Sequence, residues 1–145
     1  KDKSAAVIFI DGDGQHNPKF LKAFVTKLEK SPVVFGYRVL SKEAPWLRKT
    51  GNKIAGLIIH NLFNIKRKDL LCGFMALRSD VYNKVTWSSE GYGVEAEISA
   101  IVGRKSIPFQ EVFISTIYLD KNKGVTLWHA FKILLNLPWW YFQVR

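Results

Sequence analysis

The chain has 145 residues, 48% of them hydrophobic, with 22 Lys and Arg against 12 Asp and Glu and a formal net charge of +10. That length suits one domain, and the apolar content excludes a disordered tail. The charge favours polyanions such as phosphates, nucleic acid or an acidic membrane surface, and the single cysteine, Cys72, excludes an internal disulfide. One cysteine also fits a reducing, cytosolic compartment. Lys1-Asp2-Lys3-Ser4 does not open a signal peptide, and no run reaches the ~18 apolar residues that span a bilayer.

In chain order, Ala5 to Ile10 is a short continuous apolar run and predicts a buried strand. Pro18 suits the first turn of a helix, and Phe20, Leu21, Phe24, Val25 and Leu28 follow at helical spacing. Val33-Val34-Phe35 predicts a second strand, stopped by Gly36. Ile54, Leu57, Ile58 and Leu62 mark the apolar side of another helix. Cys72 to Leu77 predicts a strand, with Asp80 capping a short helix after it. A helix over Gly93 to Val102, an extended segment over Ile107 to Ile117 and a last helix over Thr126 to Leu137, broken by Pro138, complete the pattern. Alternating strands and helices imply an α/β sheet, whose ligands sit beyond the carboxyl ends of the strands.

The chemistry concentrates after the first run, in Asp11-Gly12-Asp13-Gly14-Gln15. Two carboxylates on alternate residues of an extended loop can approach one cation, and Gln15 adds a neutral oxygen. Hard oxygen donors in small number suit Mg²⁺ or Mn²⁺, which keep waters and bind phosphates. Such an ion would stabilise charge developing on a leaving diphosphate. Gly12 removes a side chain that would block a large ligand. A solvated turn is the bland alternative. A calcium EF-hand loop is excluded, because His16 and Lys22 stand where Gly and Glu are needed. A phosphatase of the haloacid dehalogenase type also places Asp-x-Asp after a strand. It usually has a later pair of acids, whereas Asp69, Asp80 and Asp120 are isolated here. A basic nucleic-acid-binding module is the non-enzymatic rival. Single-strand binders interleave aromatics with Lys and Arg, but the aromatics here gather near the end of the chain.

Asp11-Gly12-Asp13-Gly14-Gln15-His16-Asn17-Pro18 resembles the Asp-x-Asp-x-Gln-His-x-Pro signature of dolichol-phosphate mannose synthase and its relatives, family 2 glycosyltransferases of the GT-A fold. The resemblance continues through Gly36-Tyr37-Arg38, through Arg48 with Asn52, and through Asp69-Leu70-Leu71-Cys72-Gly73-Phe74. It extends to Gly91-Tyr92-Gly93-Val94-Glu95-Ala96-Glu97 and Gln110-Glu111-Val112. Tyr118 to His129 is similar to archaeal polyprenyl-phosphate sugar transferases. The Gln-x-x-Arg-Trp motif of processive polysaccharide synthases is missing.

The resemblance implies a partial GT-A, Rossmann-like mixed sheet flanked by helices over residues 1–120. A loop and an amphipathic membrane-interface segment follow over 121–145. The implied reaction is inverting transfer from a UDP- or GDP-sugar to a polyprenyl or dolichyl phosphate. It uses Mg²⁺ or Mn²⁺ on Asp11, Asp13 and Gln15 and takes place at the cytoplasmic face of a membrane. Arg38, Arg48 and Asn52 would bind the acceptor phosphate, where arginine's planar fork suits phosphate oxygens. Asp13, Asp69 and Glu97 would form the catalytic set, with Asp69 and Glu97 lining the donor-sugar pocket or orienting its basic residues. Gly12, Gly73 and either Lys121 or Lys123 would contact the donor. The partners are a nucleotide-sugar, a lipid phosphate and a membrane surface, with no nucleic acid. The family's opening strand, with its Pro-x-Tyr-Asn-Glu motif, is not in this sequence, so an N-terminal segment of the same domain is expected as a further partner.

Overall fold

A computed structural model describes residues 5–39, 46–115 and 127–143, with backbone only at 46–49, 51–52, 92, 127–131 and 143. In chain order the elements are β1 (Ala6–Phe9), α1 (Leu21–Leu28), β2 (Val33–Tyr37), α2 (Trp46–Phe63), β3 (Met75–Arg78), α3 (Ser79–Tyr82), α4 (Val94–Arg104), β4 (Phe109–Phe113) and α5 (Leu127–Gln143). They divide into two compact units that interleave along the chain. One comprises Lys1–Val39, Cys72–Thr86 and Ile107–Lys121, and the other Leu40–Leu71, Trp87–Ser106 and Asn122–Arg145. The boundary expected at residue 120 lies outside the described residues.

The first unit is a four-stranded sheet in the order β1-β3-β2-β4. β3 runs antiparallel to β1 and β2, while β2 and β4 are parallel, so β1, β2 and β4 all point one way. The sheet is therefore mixed. Phe24 and Leu28 of α1 pack into its core with Val34, Phe74, Ala76, Val112 and Ile114. The Phe24 and Phe74 rings stack with centroids 4.2 Å apart. Asn17 starts this segment by accepting a hydrogen bond from the Lys19 backbone at 2.9 Å, ahead of a 3-10 turn at Pro18–Phe20.

Two expectations fail here for local reasons. Gly36 does not stop β2, which runs on to Tyr37. A Cβ at Gly36 would lie 2.8 Å from the Phe74 carbonyl oxygen and 3.0 Å from Cys72 Sγ. The missing side chain instead lets the Gly36 N–H donate to Phe74 O at 2.7 Å. Asp80 is not the cap of α3. Arg78 holds that position, and Asp80 sits inside the first turn, where it accepts two hydrogen bonds from the Arg78 guanidinium at 3.0 and 2.6 Å.

The second unit is helical. α4 is buried continuously from Ala96 to Gly103. α2 packs against α4 and α5. Its buried residues are Ile59 and Phe63, one turn apart, whereas Ile54, Leu57 and Leu62 are exposed. The apolar side expected for this helix is thus mostly the solvent side. Gly103 allows the Phe63 carbonyl and Ile65 to press on α4, since a Cβ there would fall 2.7 Å from Ile65 Cβ.

α5 continues through Pro138 instead of ending there. A proline in a helix interior costs about 3 kcal/mol by removing a hydrogen bond and crowding the preceding turn. Burial of Ile133, Leu137 and Trp140 along one face offsets that, at about 1.5–3 kcal/mol for each large side chain. Trp140, within the aromatic run near the end of the chain, is 1% exposed.

Candidate functional site

The antiparallel register pairs Phe9 at the end of β1 with Met75 at the start of β3. Carried two residues further, the same register sets Asp11 opposite Gly73. A Cβ at Gly73 would lie 2.6 Å from Asp11 Oδ2 and 2.8 Å from its Cγ, closer than real Cβ contacts come. Glycine is therefore required for the Asp11 carboxylate to sit where it does. Gly73 was expected to approach a sugar; among the described residues its immediate neighbour is this carboxylate.

The other side of Asp11 meets His16, whose Nδ1 lies 3.6 Å from Asp11 Oδ2. The His16 side chain is buried, with its ring centroid 5.7 Å from that of Phe74. Sequence reasoning gave His16 little weight, and its place in the Gln15-His16 motif was the available signal. Asp11 nonetheless keeps 48% of its side chain exposed.

Asp13 is exposed and shapes the loop itself, with Oδ1 accepting a hydrogen bond from the Gln15 backbone at 3.0 Å. Gly14 takes φ 78°, the left-handed region open to glycine, and turns the chain between them. At Gly12 nothing approaches within 4 Å of a built Cβ, so the loop is open to a ligand there.

Asp11, Asp13 and Gln15 carry hard oxygen donors of the kind that suits Mg²⁺ or Mn²⁺. Among the described residues neither Asp11 nor Asp13 is ion-paired to Lys or Arg, although the chain carries a net charge of +10. No three His, Cys, Asp or Glu side chains converge among the described residues. Asp11, Asp13 and Gln15 would thus leave coordination positions to water and ligand oxygens, as Mg²⁺ and Mn²⁺ favour.

Sheet order brings further residues to the same end. Arg38 leaves β2 at the carboxyl edge where Asp11 leaves β1. With β3 between them, the two strand ends stand about 10 Å apart. The Ile114 N–H donates to the Tyr37 carbonyl at 3.0 Å, closing that edge beside Arg38.

Asp69, Glu97, Arg48 and Asn52 belong to the second unit. Asp69 is buried and accepts from the Leu71 backbone at 3.3 Å. Glu97, on the first turn of α4, is 3% exposed. Its Oε2 accepts from the Ser89 N–H at 2.7 Å and from the Ser88 N–H at 3.2 Å. Its Oε1 accepts from the Ser88 N–H and hydroxyl at 3.1 and 3.3 Å. Glu97 thus anchors the loop before α4, a function that the bare motif does not reveal. Arg48 and Asn52 fall on α2, one turn apart, with side chains outside the described residues. Lys121 and Lys123 are outside them as well.

No family model matches the chain. It is 30% identical over 128 residues to an uncharacterized protein of Methanocaldococcus jannaschii, covering 83% of this chain and 55% of that protein. It is 26% identical over 145 residues to a second uncharacterized protein of that organism, covering 93% and 60%. Among solved structures it is similar to glucosyl-3-phosphoglycerate synthase of Mycobacterium tuberculosis in complex with phosphoglyceric acid. The TM-score is 0.70 at 16% identity, over 95% of this chain and 50% of that one. The chain spans about half the length of the proteins it matches. Its mixed sheet with packed helices is a partial GT-A, Rossmann-like arrangement, the fold that it shares with this structural neighbour.

Proposed function

We propose that this chain carries the metal- and diphosphate-binding part of an inverting glycosyltransferase that passes a sugar from a UDP- or GDP-sugar to a polyprenyl phosphate. The observation that carries the reading is the seat of Asp11. A half-exposed carboxylate is fixed against Gly73 at the carboxyl end of a strand, two residues from a second exposed carboxylate. That is where ligands bind in open α/β sheets. The glycosyltransferase fold supports sugar transfer in general terms.

Within this reading, Asp11, Asp13 and Gln15 hold Mg²⁺ or Mn²⁺, which supplies charge neutralisation for the departing diphosphate. Arg38, at the same sheet end, holds the acceptor phosphate, a task that the resemblance also gives to Arg48 and Asn52. An acceptor phosphate is already anionic near neutral pH, so no strong base is needed. The demanding tasks are positioning and electrostatic stabilisation. Asp69 serves the donor-sugar side. Glu97 serves by holding the Ser88–Ser89 loop. Lys121 or Lys123 closes over the diphosphate.

Labelled-sugar transfer by the whole protein to polyprenyl phosphate, with and without EDTA, tests the reading. Phosphoglyceric acid, bound by the structural neighbour, serves as the soluble comparison acceptor. Lipid-linked product that vanishes with EDTA is expected. Transfer to phosphoglyceric acid alone would overturn the acceptor assignment, and EDTA-resistant turnover would overturn the metal assignment.

A further inference from the structure

α4 holds a second loop besides Ser88–Ser89. The segment between α2 and β3 carries Asp69, and Arg67 reaches from it to the buried Ser99 on α4. Arg67 Nη1 donates to Ser99 Oγ at 2.7 Å. The same nitrogen donates to the Leu70 carbonyl at 3.3 Å, so the guanidinium closes a turn around Asp69. Within that turn the Asp69 carboxylate accepts from the Leu71 N–H at 3.3 Å.

Ser99 is arranged to receive a donor. Its hydroxyl has one proton, and that proton goes to the Glu95 carbonyl, one turn back, at 2.6 Å. Its lone pairs then face Arg67, a side chain with donors and no acceptor. Arg67 is half-buried, and Asp69 is 2% exposed. An apolar side chain at position 67 would pack on α4 at less cost than a half-buried guanidinium. The charge is explained by the carboxylate that the turn encloses, because a buried carboxylate is costly without donors and a cation near it. Ile65 braces the same segment by pressing on Gly103, one turn further along α4. The turn is thus fixed on α4 at two points, and Asp69 with it.

We propose that Arg67, seated on Ser99, is a positioning residue that fixes the turn through which Asp69 meets the donor sugar. The proposal rests on the donor-sugar role of Asp69 given above.

Steady-state transfer by the whole protein, from a panel of UDP- and GDP-sugars to polyprenyl phosphate, tests it. Arg67→Met should raise the donor KM about tenfold and leave the acceptor KM unchanged. Ser99→Ala should shift the donor KM the same way, severalfold, and it decides the matter if Arg67→Met melts early. Adding Asp69→Asn to Arg67→Met should cost little more than Asp69→Asn alone, because both act through one carboxylate. Hydrogen exchange at the Leu71 amide should quicken in Arg67→Met and in Ser99→Ala. Additive losses, equal changes in donor and acceptor KM, or unchanged Leu71 exchange in both variants would overturn the positioning role alone. No transfer by the parent from any of the sugars would overturn the donor reading itself, and the positioning role with it.

Discussion

Asp11 and Glu97 are both acidic residues near the end or start of a regular element, and the fold treats them in opposite ways. Asp11 stays half exposed, held by the absence of a side chain at Gly73 and by His16 beside it. Glu97 is buried with both oxygens engaged by Ser88 and Ser89. The first carboxylate is oriented while half exposed, which leaves it available to a ligand. The second has both oxygens taken up by loop hydrogen-bond donors and supports structure. A resemblance at the level of motifs gives Asp11 to the metal set and Glu97 to the catalytic set, and only their surroundings show that one is left open while the other is held.

The largest effect that would sharpen this contrast is on turnover. Asp13→Ala should lower transfer by the whole protein about a hundredfold or more, with an unchanged melting temperature. A folding defect in that variant would show that the acidic loop, like Glu97, supports structure. Glu97→Ala should do the reverse. Removing the acceptor for buried backbone donors should cost about 2–4 kcal/mol in denaturant unfolding. Full stability with lost activity would return Glu97 to the catalytic set.

Gly73→Ala should come next, at about 1–3 kcal/mol of overpacking. Because the new methyl meets Asp11 first, calorimetric Mn²⁺ uptake should weaken as well. Unaltered uptake would break the link between the glycine and the site. The smallest effect is expected at Arg78 and Asp80, a pair whose side chains are 42% and 54% exposed. The hydrogen bond from Arg78 holds the Asp80 carboxyl below its usual range. Any stabilisation from that pair is present above the ordinary aspartate pKa and is lost as pH falls through the lowered one. Screening by water keeps it small. Asp80→Asn should therefore leave thermal unfolding near neutral pH unchanged, and a clear drop would show that exposed acids in this chain matter more than argued.

Much of the frame was legible because it rests on short-range chemistry. The run Val7-Ile8-Phe9 reads as a strand, although at the sheet edge it is only half buried, and Asn17-Pro18 announces a helical turn. What was not legible depends on partners distant in sequence. Gly36 looks like a strand breaker until Phe74 and Cys72 are found beside it. Ile54 and Leu57 read as a buried stripe, because periodicity reports that a helix has an apolar side but not which neighbours cover it. Pro138 reads as an end, and the packing of Trp140 beyond it overrides that local preference. The role of Glu97 needed the loop fold, since no spacing rule pairs a helix carboxylate with N–H groups eight and nine residues upstream.

The place of β3 between β1 and β2 carries a consequence for the order of assembly. The two earlier strands cannot join until a strand made well after both inserts between them, so the sheet forms by long-range closure, a slow route. The seat for Asp11 belongs to that late arrival. During synthesis the acidic loop emerges long before its glycine platform, and competence to hold a cation should appear abruptly, only once the central strand has zipped into place.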